Sequence, residues 1–203
     1  MVSANNYKIV DFDSEVLREY DIRGKVDKNL TVNTAYSIGR SFGHIISLET
    51  SSKTVVVGYD GRLTSLKLYK ALCSGFIDSG IKVLSVGLGP TPMIYFAHFY
   101  LKANAAVMVT GSHNPPEYNG FKLVLNHQSF FGERIKELQK LITLDRLKLS
   151  KGSVEEIDIY EQYINRNLKN FKLSKKLKIA WDIGNGVVGS VIDKLINRIS
   201  EAD

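Results

Sequence analysis

A thirteen-residue loop, residues 110–122, contains three side chains that could take part in group transfer. It carries the Ser112 hydroxyl, the adjacent His113 imidazole and the Lys122 ammonium. A serine hydroxyl is a weak nucleophile at neutral pH unless a neighbouring group orients it or accepts its proton, and His113 is the adjacent candidate. A glycine before the serine and two prolines after it hold the hydroxyl in one place. Because positioning supplies much of the rate of such reactions, this serine loop predicts a nucleophilic or phosphoryl-carrying serine.

The serine loop needs a rigid frame, and the hydrophobic pattern around it predicts one. Buried strands are predicted at residues 55–57, 81–86, 105–109 and 121–125. Helices are predicted at about residues 31–48, 64–80, 91–100, 133–142 and 158–173. Alternating strands and helices favour an α/β fold, with a mixed, mostly parallel sheet covered by helices on both faces.

Two arginines are expected to lie near the serine. Ligand-binding loops of open α/β sheets gather at the carboxyl ends of the strands. Arg62 and Ser112 both lie just past predicted strand ends, whereas Arg23 lies in an earlier predicted loop. We therefore expect the three residues to converge on one cleft, where each guanidinium could stabilise negative charge on a phosphoryl group. Each arginine could instead pair with a nearby aspartate.

The sequence of the serine loop, TGSHNPPEYNGFK, resembles the active-site serine loop of the α-D-phosphohexomutases, and in particular of the bacterial phosphomannomutase/phosphoglucomutase branch. Four more stretches resemble motifs of that family and occur in the family order. They are residues 18–24 (REYDIRG), 58–62 (GYDGR), 87–92 (GLGPTP) and 181–189 (WDIGNGVVG).

The resemblance implies a fold, a reaction and a set of site residues. It implies the phosphoserine domain over residues 1–145, a helical linker over 146–174, and the start of a second α/β domain over 175–203. The reaction would convert hexose 6-phosphate to hexose 1-phosphate, for mannose or glucose, through a retained hexose 1,6-bisphosphate. Its catalytic residues would be Ser112 (the phosphoserine), His113, Lys122 and Arg23, and its substrate- or phosphate-binding residues would be Tyr20 and Arg62.

The family's magnesium-binding loop and its sugar- and phosphate-recognition loops do not occur in these 203 residues. The resemblance thus implies that Mg²⁺ would contact the phosphate on Ser112 only weakly, and that the chain alone would show little activity. One alternative is a non-catalytic remnant, or half of a split enzyme that needs a separately encoded C-terminal partner. Another is a nucleotide-binding module, because the glycine turn, residues 184–189, spells G-x-G-x-x-G after a predicted strand at residues 178–181 and before a predicted helix.

Composition excludes several other classes of function. Six of the 27 basic residues lie between residues 166 and 178 without an acid among them, which leaves 21 basic against 21 acidic residues elsewhere. Such a basic stretch, without an aromatic stacking surface or a recognised nucleic-acid motif, indicates a solvated linker rather than a nucleic-acid site. No apolar run approaches the roughly 18 residues that span a bilayer. The single cysteine, Cys73, lies in an apolar helical pattern and favours a core position and a cytoplasmic location, and the N-terminus does not resemble a secretory signal. We assign no metal to His44, His98 or His127.

Overall fold

The computed structural model describes residues 7–143, 147, 149–172 and 177–200. Within these ranges, a 3₁₀ turn (Ser14–Val16) precedes the first strand. The strands are β1 (Ile22–Lys25), β2 (Thr54–Tyr59), β3 (Lys82–Leu88), β4 (Ala105–Val109), β5 (Tyr118–Leu125), β6 (Gln128–Ser129) and β7 (Ser153–Glu156). The helices are α1 (Val32–Glu49), α2 (Ser65–Ile77), α3 (Thr91–Tyr100), α4 (Glu133–Thr143), α5 (Tyr160–Leu168) and α6 (Gly189–Ser200).

The seven strands form one mixed sheet in the order β1-β5-β4-β2-β3-β7, with β6 paired to β5. The pairs β2–β3, β2–β4 and β3–β7 are parallel, while β5 is antiparallel to β1, β4 and β6. Strand β5 therefore runs opposite to the other six strands of the described chain. The predicted mixed, mostly parallel sheet is confirmed.

Helices cover both faces of this sheet, as predicted. Alternate residues of each buried strand point to opposite faces, so Val55 and Val57 contact one hydrophobic core and Val56 the other. The first core is completed by α1, α2 and α4, and the second by α3 and α5. All five residues of β4 are buried, which fixes the end of the strand that leads into the serine loop. Cys73 is buried in the first core, where burial raises the pKa of its thiol to about 12.

Two predictions about local structure are corrected. Arg23 lies on β1 and not in a loop. The sequence did not reveal this strand because it has only four residues, one of them a glycine, and therefore shows no clear hydrophobic alternation. The Thr-Pro pair at residues 91–92 predicts Thr91 as the N-cap of α3, but Pro90 is the N-cap and Thr91 is already helical. Of the two candidate N-caps of α1, Thr31 and Asn33, the structure uses Thr31, which forms a reciprocal capping box with Thr34.

The segment predicted as a helical linker, residues 146–174, also contains a strand. Strand β7 extends the sheet beside β3, and all four of its side chains are exposed. An edge strand without buried apolar residues gives no hydrophobic period, which is why the pattern did not reveal it. Residues 144–146, 148 and 173–176 lie outside the described residues.

The strand predicted over residues 178–181 does not form. The sequence alternates apolar and other residues as a strand would, but Leu177, Ile179 and Trp181 are all about half exposed. A strand needs a neighbour to complete its ladder of hydrogen bonds, and no strand among the described residues pairs with this segment. No described helix is long and apolar enough to cross a membrane.

Candidate active site

Neighbouring strands bring the predicted site residues together. Strand β4 ends at Val109, the serine loop turns the chain, and β5 returns with Lys122 opposite Met108. On the other side of β5, Arg23 lies opposite Gly120. Antiparallel pairing on both sides of β5 therefore places residues that are far apart in sequence at one end of the sheet.

The backbone of Ser112 is held on both sides, while its hydroxyl is exposed. Its amide donates a hydrogen bond to Thr110 Oγ1 over 2.8 Å, and its carbonyl accepts one from Arg62 Nη2 over 2.9 Å. Ser112 Oγ lies 3.3 Å from His113 Nδ1. The residue has a φ of 54°, a left-handed conformation that costs on the order of 1 kcal/mol for a non-glycine residue. A serine that is strained, fixed and exposed in this way suits a nucleophile.

The guanidinium of Arg62 points into the serine loop. Its Nη1 donates to the carbonyls of Pro115 and Tyr118 over 2.9 and 3.0 Å. Its Nη2 donates to the carbonyls of Ser112 and Asn114 over 2.9 and 2.6 Å. The expected contact of Arg62 with phosphate stays a prediction, because the structure gives these donors to loop carbonyls.

Asp60 connects β2 to the serine loop. Its pairing with Arg62 is the alternative that the sequence left open, whereas the sequence did not reveal its contact with Thr110. Its Oδ2 accepts a hydrogen bond from Thr110 Oγ1 over 2.7 Å and lies 3.5 Å from Arg62 Nε. Its Oδ1 accepts from the Arg62 amide over 3.1 Å and from Ser65 Oγ over 2.5 Å. Aspartate followed by glycine commonly caps a turn in this way, and that was the signal in the sequence.

Asn119 is a second residue that the sequence did not reveal. It is fully buried, and its Nδ2 donates to Thr64 Oγ1 and to Ser65 Oγ, each over 2.9 Å. Its Oδ1 accepts a hydrogen bond from the Gly120 amide. A buried amide that satisfies both donors and its acceptor fixes the far end of the serine loop against the start of α2.

A carboxylate joins Arg23 and Lys122, the two cations that are predicted to be catalytic. Asp21 Oδ2 forms a short ion pair with Arg23 and lies 3.4 Å from Lys122 Nζ. Arg23 also reaches the serine loop, since its Nη1 donates to Asn114 Oδ1 over 2.7 Å. Two cations and one carboxylate leave this trio with a charge of +1, which favours a bound anion. The sequence left open that Arg23 pairs with a nearby aspartate, and the structure shows this pairing with Asp21.

Tyr20 is positioned at the edge of this cluster. The side chain is 76% exposed, and its ring centroid lies 6.2 Å from that of Phe131. Together with Tyr95 and Lys122, these two rings line a cleft of about 340 Å³. The rings offer an apolar surface beside the Lys122 ammonium, although the predicted contact of Tyr20 with substrate is untested by the structure.

The glycine turn borders the cleft in front of the serine loop. This cleft has a volume of about 880 Å³, and Ser112, Arg62 and Asn185 lie in its wall. Gly184 and Asn185 both have positive φ values, 54° and 58°. A dinucleotide fingerprint should follow a strand, but the described residues before this turn, 177–183, form none. The geometry therefore gives the nucleotide-binding alternative no support.

Neither the site nor the remaining histidines provide a complete metal site. The described residues contain no group of three or more His, Cys, Asp or Glu side chains that could hold a metal ion. His98 and His127, at the opposite end of β4, face each other with Nε2 and Nδ1 2.9 Å apart. Burial and, to a smaller extent, the charge of His127 lower the pKa of His98.

Known proteins resemble this chain in both sequence and fold. Residues 14–146 match the family described as phosphoglucomutase/phosphomannomutase, alpha/beta/alpha domain I. A phosphomannomutase/phosphoglucomutase from Pseudomonas aeruginosa is 41% identical over 186 residues, which cover 92% of this chain and 40% of that protein. A phosphoglucomutase from Neisseria meningitidis is 43% identical over 183 residues, covering 89% and 40%.

A solved structure agrees with these matches. The crystal structure of a phosphoglucomutase/phosphomannomutase family protein from Burkholderia thailandensis superposes with a TM-score of 0.85 at 38% identity. The match covers 92% of this chain and 42% of the other. The chain thus spans about 40% of the length of the curated relatives that it matches.

Proposed function

The chain belongs to the phosphoglucomutase/phosphomannomutase family, and we propose that its Ser112 carries the phosphoryl group during interconversion of hexose 1- and 6-phosphates. The observation that supports this proposal is the way in which Ser112 is held. Its backbone is fixed at both the amide and the carbonyl, while its hydroxyl faces the cleft beside His113. A hydroxyl held in one orientation toward a cavity is positioned for in-line attack.

The proposed reaction has two transfers. In the first, the bond from phosphorus to Ser112 Oγ breaks as phosphorus bonds to a free hydroxyl oxygen of the hexose phosphate. The hydroxyl loses its proton, Ser112 Oγ gains one, and a hexose 1,6-bisphosphate results. In the second, Ser112 Oγ attacks the other phosphate of that bisphosphate, and the released sugar oxygen takes up a proton. His113 Nδ1, 3.3 Å from Oγ, exchanges the serine proton in both directions.

Arg23 and Lys122 stabilise the charge of the moving group in this proposal. The transferring phosphoryl group spreads negative charge over its oxygens, and preorganised cations lower the barrier. Asp21 keeps both cations in place through its contacts with each, and the net charge of +1 remains available to the phosphate. Tyr20, beside Phe131, is proposed to contact the sugar ring.

Magnesium is expected at the phosphate of Ser112 in this family, where it would offset negative charge. The described residues do not provide enough ligands for a complete site, since a divalent cation of this kind takes several oxygen ligands. No step above depends on the ion. We infer that its other ligands, and groups that grip the distal phosphate of the substrate, come from further polypeptide, such as a separately encoded C-terminal half.

Other parts of the proposal concern the setting of the protein. We propose hexose phosphates of mannose or glucose as substrates and a cytoplasmic location, for which the buried free thiol of Cys73 is the supporting observation. Nucleic acid and membranes are not proposed as partners.

Two assays test the proposal. In the first, the chain is incubated with glucose 1,6-bisphosphate, Mg²⁺ and the remaining part of a relative, and phosphate uptake by the chain is followed by intact mass. We expect one phosphate per chain, and absence of uptake from this donor would contradict the proposal. In the second, conversion of glucose 1-phosphate is measured with the chain alone and with the remaining part of a relative added. We expect turnover only in the mixture, and robust turnover by the chain alone would refute the inferred need for further polypeptide.

A further inference from the structure

We propose that Arg62 is a positioning residue, which fixes Ser112 for phosphoryl transfer by binding the carbonyl oxygens of the serine loop. The role differs from the phosphate contact that the sequence suggested. Its consequence for rate rests on the proposed function, whereas its effect on the loop does not. We call these hydrogen bonds from Arg62 to the loop carbonyls the grip. Arg62 follows β2 and the serine loop follows β4, so the grip joins the loops that follow two neighbouring strands.

The terminal nitrogens of Arg62 are matched to the loop. They carry four N–H groups between them, and four loop carbonyls accept hydrogen bonds from them. The four carbonyls belong to Ser112, Asn114, Pro115 and Tyr118, with donor–acceptor distances between 2.6 and 3.0 Å. Because the planar guanidinium directs its donors at fixed angles, it specifies the relative positions of all four peptide groups.

The grip closes a ring of contacts through Asp60. Arg62 holds the carbonyl of Ser112, and Thr110 holds its amide. Thr110 Oγ1 in turn donates to Asp60 Oδ2, which lies beside Arg62 Nε. Ser112 is thus fixed from both sides by groups that are themselves connected. Such a ring can maintain the left-handed φ of 54°, which the residue would not favour alone.

Gly111 leaves the space that Arg62 occupies. A Cβ added at Gly111 would lie 2.6 Å from Cζ and Nε of Arg62, and 2.7 Å from the carbonyl oxygen of Tyr118. These distances are shorter than real contacts allow, so a Gly111→Ala variant must displace the guanidinium or the loop. The glycine before the serine therefore serves the grip, and it gives a way to disturb it without changing Arg62.

The experiment compares Arg62→Lys and Gly111→Ala with the unchanged chain and with Arg134→Lys, a matched control on α4. Lysine retains the charge of Arg62 but cannot bind four carbonyls in one plane. Hydrogen exchange is measured at the amides of Ser112, Asn114 and Tyr118, which are bonded within the loop. No phosphate donor is present in this measurement. Thermal unfolding of each variant confirms that the chain is folded.

We expect both variants to speed exchange at these amides at least about tenfold, while the control leaves it unchanged. Phosphate uptake from glucose 1,6-bisphosphate should slow by about tenfold to a hundredfold at saturating donor, with the half-saturating concentration changed less than about twofold. An Arg62→Lys variant with exchange and uptake equal to the unchanged chain would overturn the inference. If the unchanged chain takes up no phosphate, the proposed function fails and the exchange data still test the grip.

Discussion

The serine loop and the glycine turn border the same cleft, and both contain residues with positive φ, but they are held in different ways. The serine loop is bonded by side chains of Asp60, Arg62 and Arg23, each at least 50 residues in sequence from the loop residue that it contacts. The amides of Gly184, Gly186 and Gly189 in the glycine turn donate to groups two or three residues earlier in the chain, namely Asp182 Oδ1 and the carbonyls of Ile183 and Gly186.

This difference separates two uses of a left-handed residue. Gly184 adopts positive φ at no steric cost and Asn185 tolerates it, so local hydrogen bonds suffice in the glycine turn. Ser112 does not favour that conformation, and an extensive set of distant contacts maintains it. Such contacts are expected where a side chain must be presented for chemistry, and they predict that substitutions in the serine loop have larger effects than those in the glycine turn.

The largest effect is expected from Ser112→Gly. This change removes the proposed phosphate carrier, and it also relieves the strain of the left-handed conformation. We predict complete loss of phosphate uptake from glucose 1,6-bisphosphate, with a thermal midpoint equal to or above that of the unchanged chain. Ser51→Ala, in an exposed loop, is the control. Uptake that persists in Ser112→Gly would remove the functional contrast between the two loops.

The next effect concerns the cation that reaches the serine loop. Arg23→Gln removes a positive charge beside the proposed site of the transferring phosphate, while Asp21 keeps its contact with Lys122. We predict a rate of phosphate uptake about a hundredfold lower at saturating donor, as for loss of one preorganised donor. Arg134→Gln serves as the control on α4. A change of less than about twofold would show that Arg23 acts only in the packing of β1.

A stability comparison sharpens the contrast between the loops directly. Asn119→Ala leaves the buried Ser65 hydroxyl and the Gly120 amide without their present partner, and should lower the free energy of unfolding by about 1–3 kcal/mol. Asn185→Gly, in the glycine turn, should change it by less than about 0.5 kcal/mol. Urea unfolding followed by circular dichroism measures both. Equal losses in the two variants would contradict the difference in how the loops are held.

The smallest predicted effect is a pH dependence of stability that comes from His98, a residue outside both loops. The pKa of His98 lies below its ordinary value of 6.5 because of burial and the nearby His127. The unfolded chain then binds a proton more readily than the folded one, so this contribution is present above the unfolded pKa and is lost as pH falls. From about pH 7.5 to about pH 5.5, urea midpoints should fall less steeply in His98→Gln than in the unchanged chain. Equal slopes would locate the dependence elsewhere.

How much could be predicted from the sequence depends on the range of the contacts. The strands around the serine loop and the two-sided packing follow from local hydrophobic patterns, and these predictions are confirmed. The turn of the chain at Ser112 is predicted by the residues next to it in sequence, a glycine before it and two prolines after it. The exposure of Ser112 beside His113 also depends on neighbouring residues alone.

The hydrogen-bonding partners of the loop could not be predicted in the same way. The parallel pairing of β2 with β4 sets Tyr59 opposite Val109, and only this register brings Asp60 to Thr110. The direction of the Arg62 side chain depends on the same register, so an arginine expected at phosphate binds carbonyls in the structure. The pattern in residues 178–181 predicted a strand, but strand formation depends on a partner that local sequence does not report.

Peptide mapping of the phosphorylated chain tests the central claim most directly. After incubation with glucose 1,6-bisphosphate, the chain is digested and the site of phosphate is located by fragmentation mass spectrometry. Phosphate on the peptide that contains residues 110–122, at Ser112, is the predicted result. Phosphate found only on other residues would contradict Ser112 as the carrier and with it the proposed role of the serine loop.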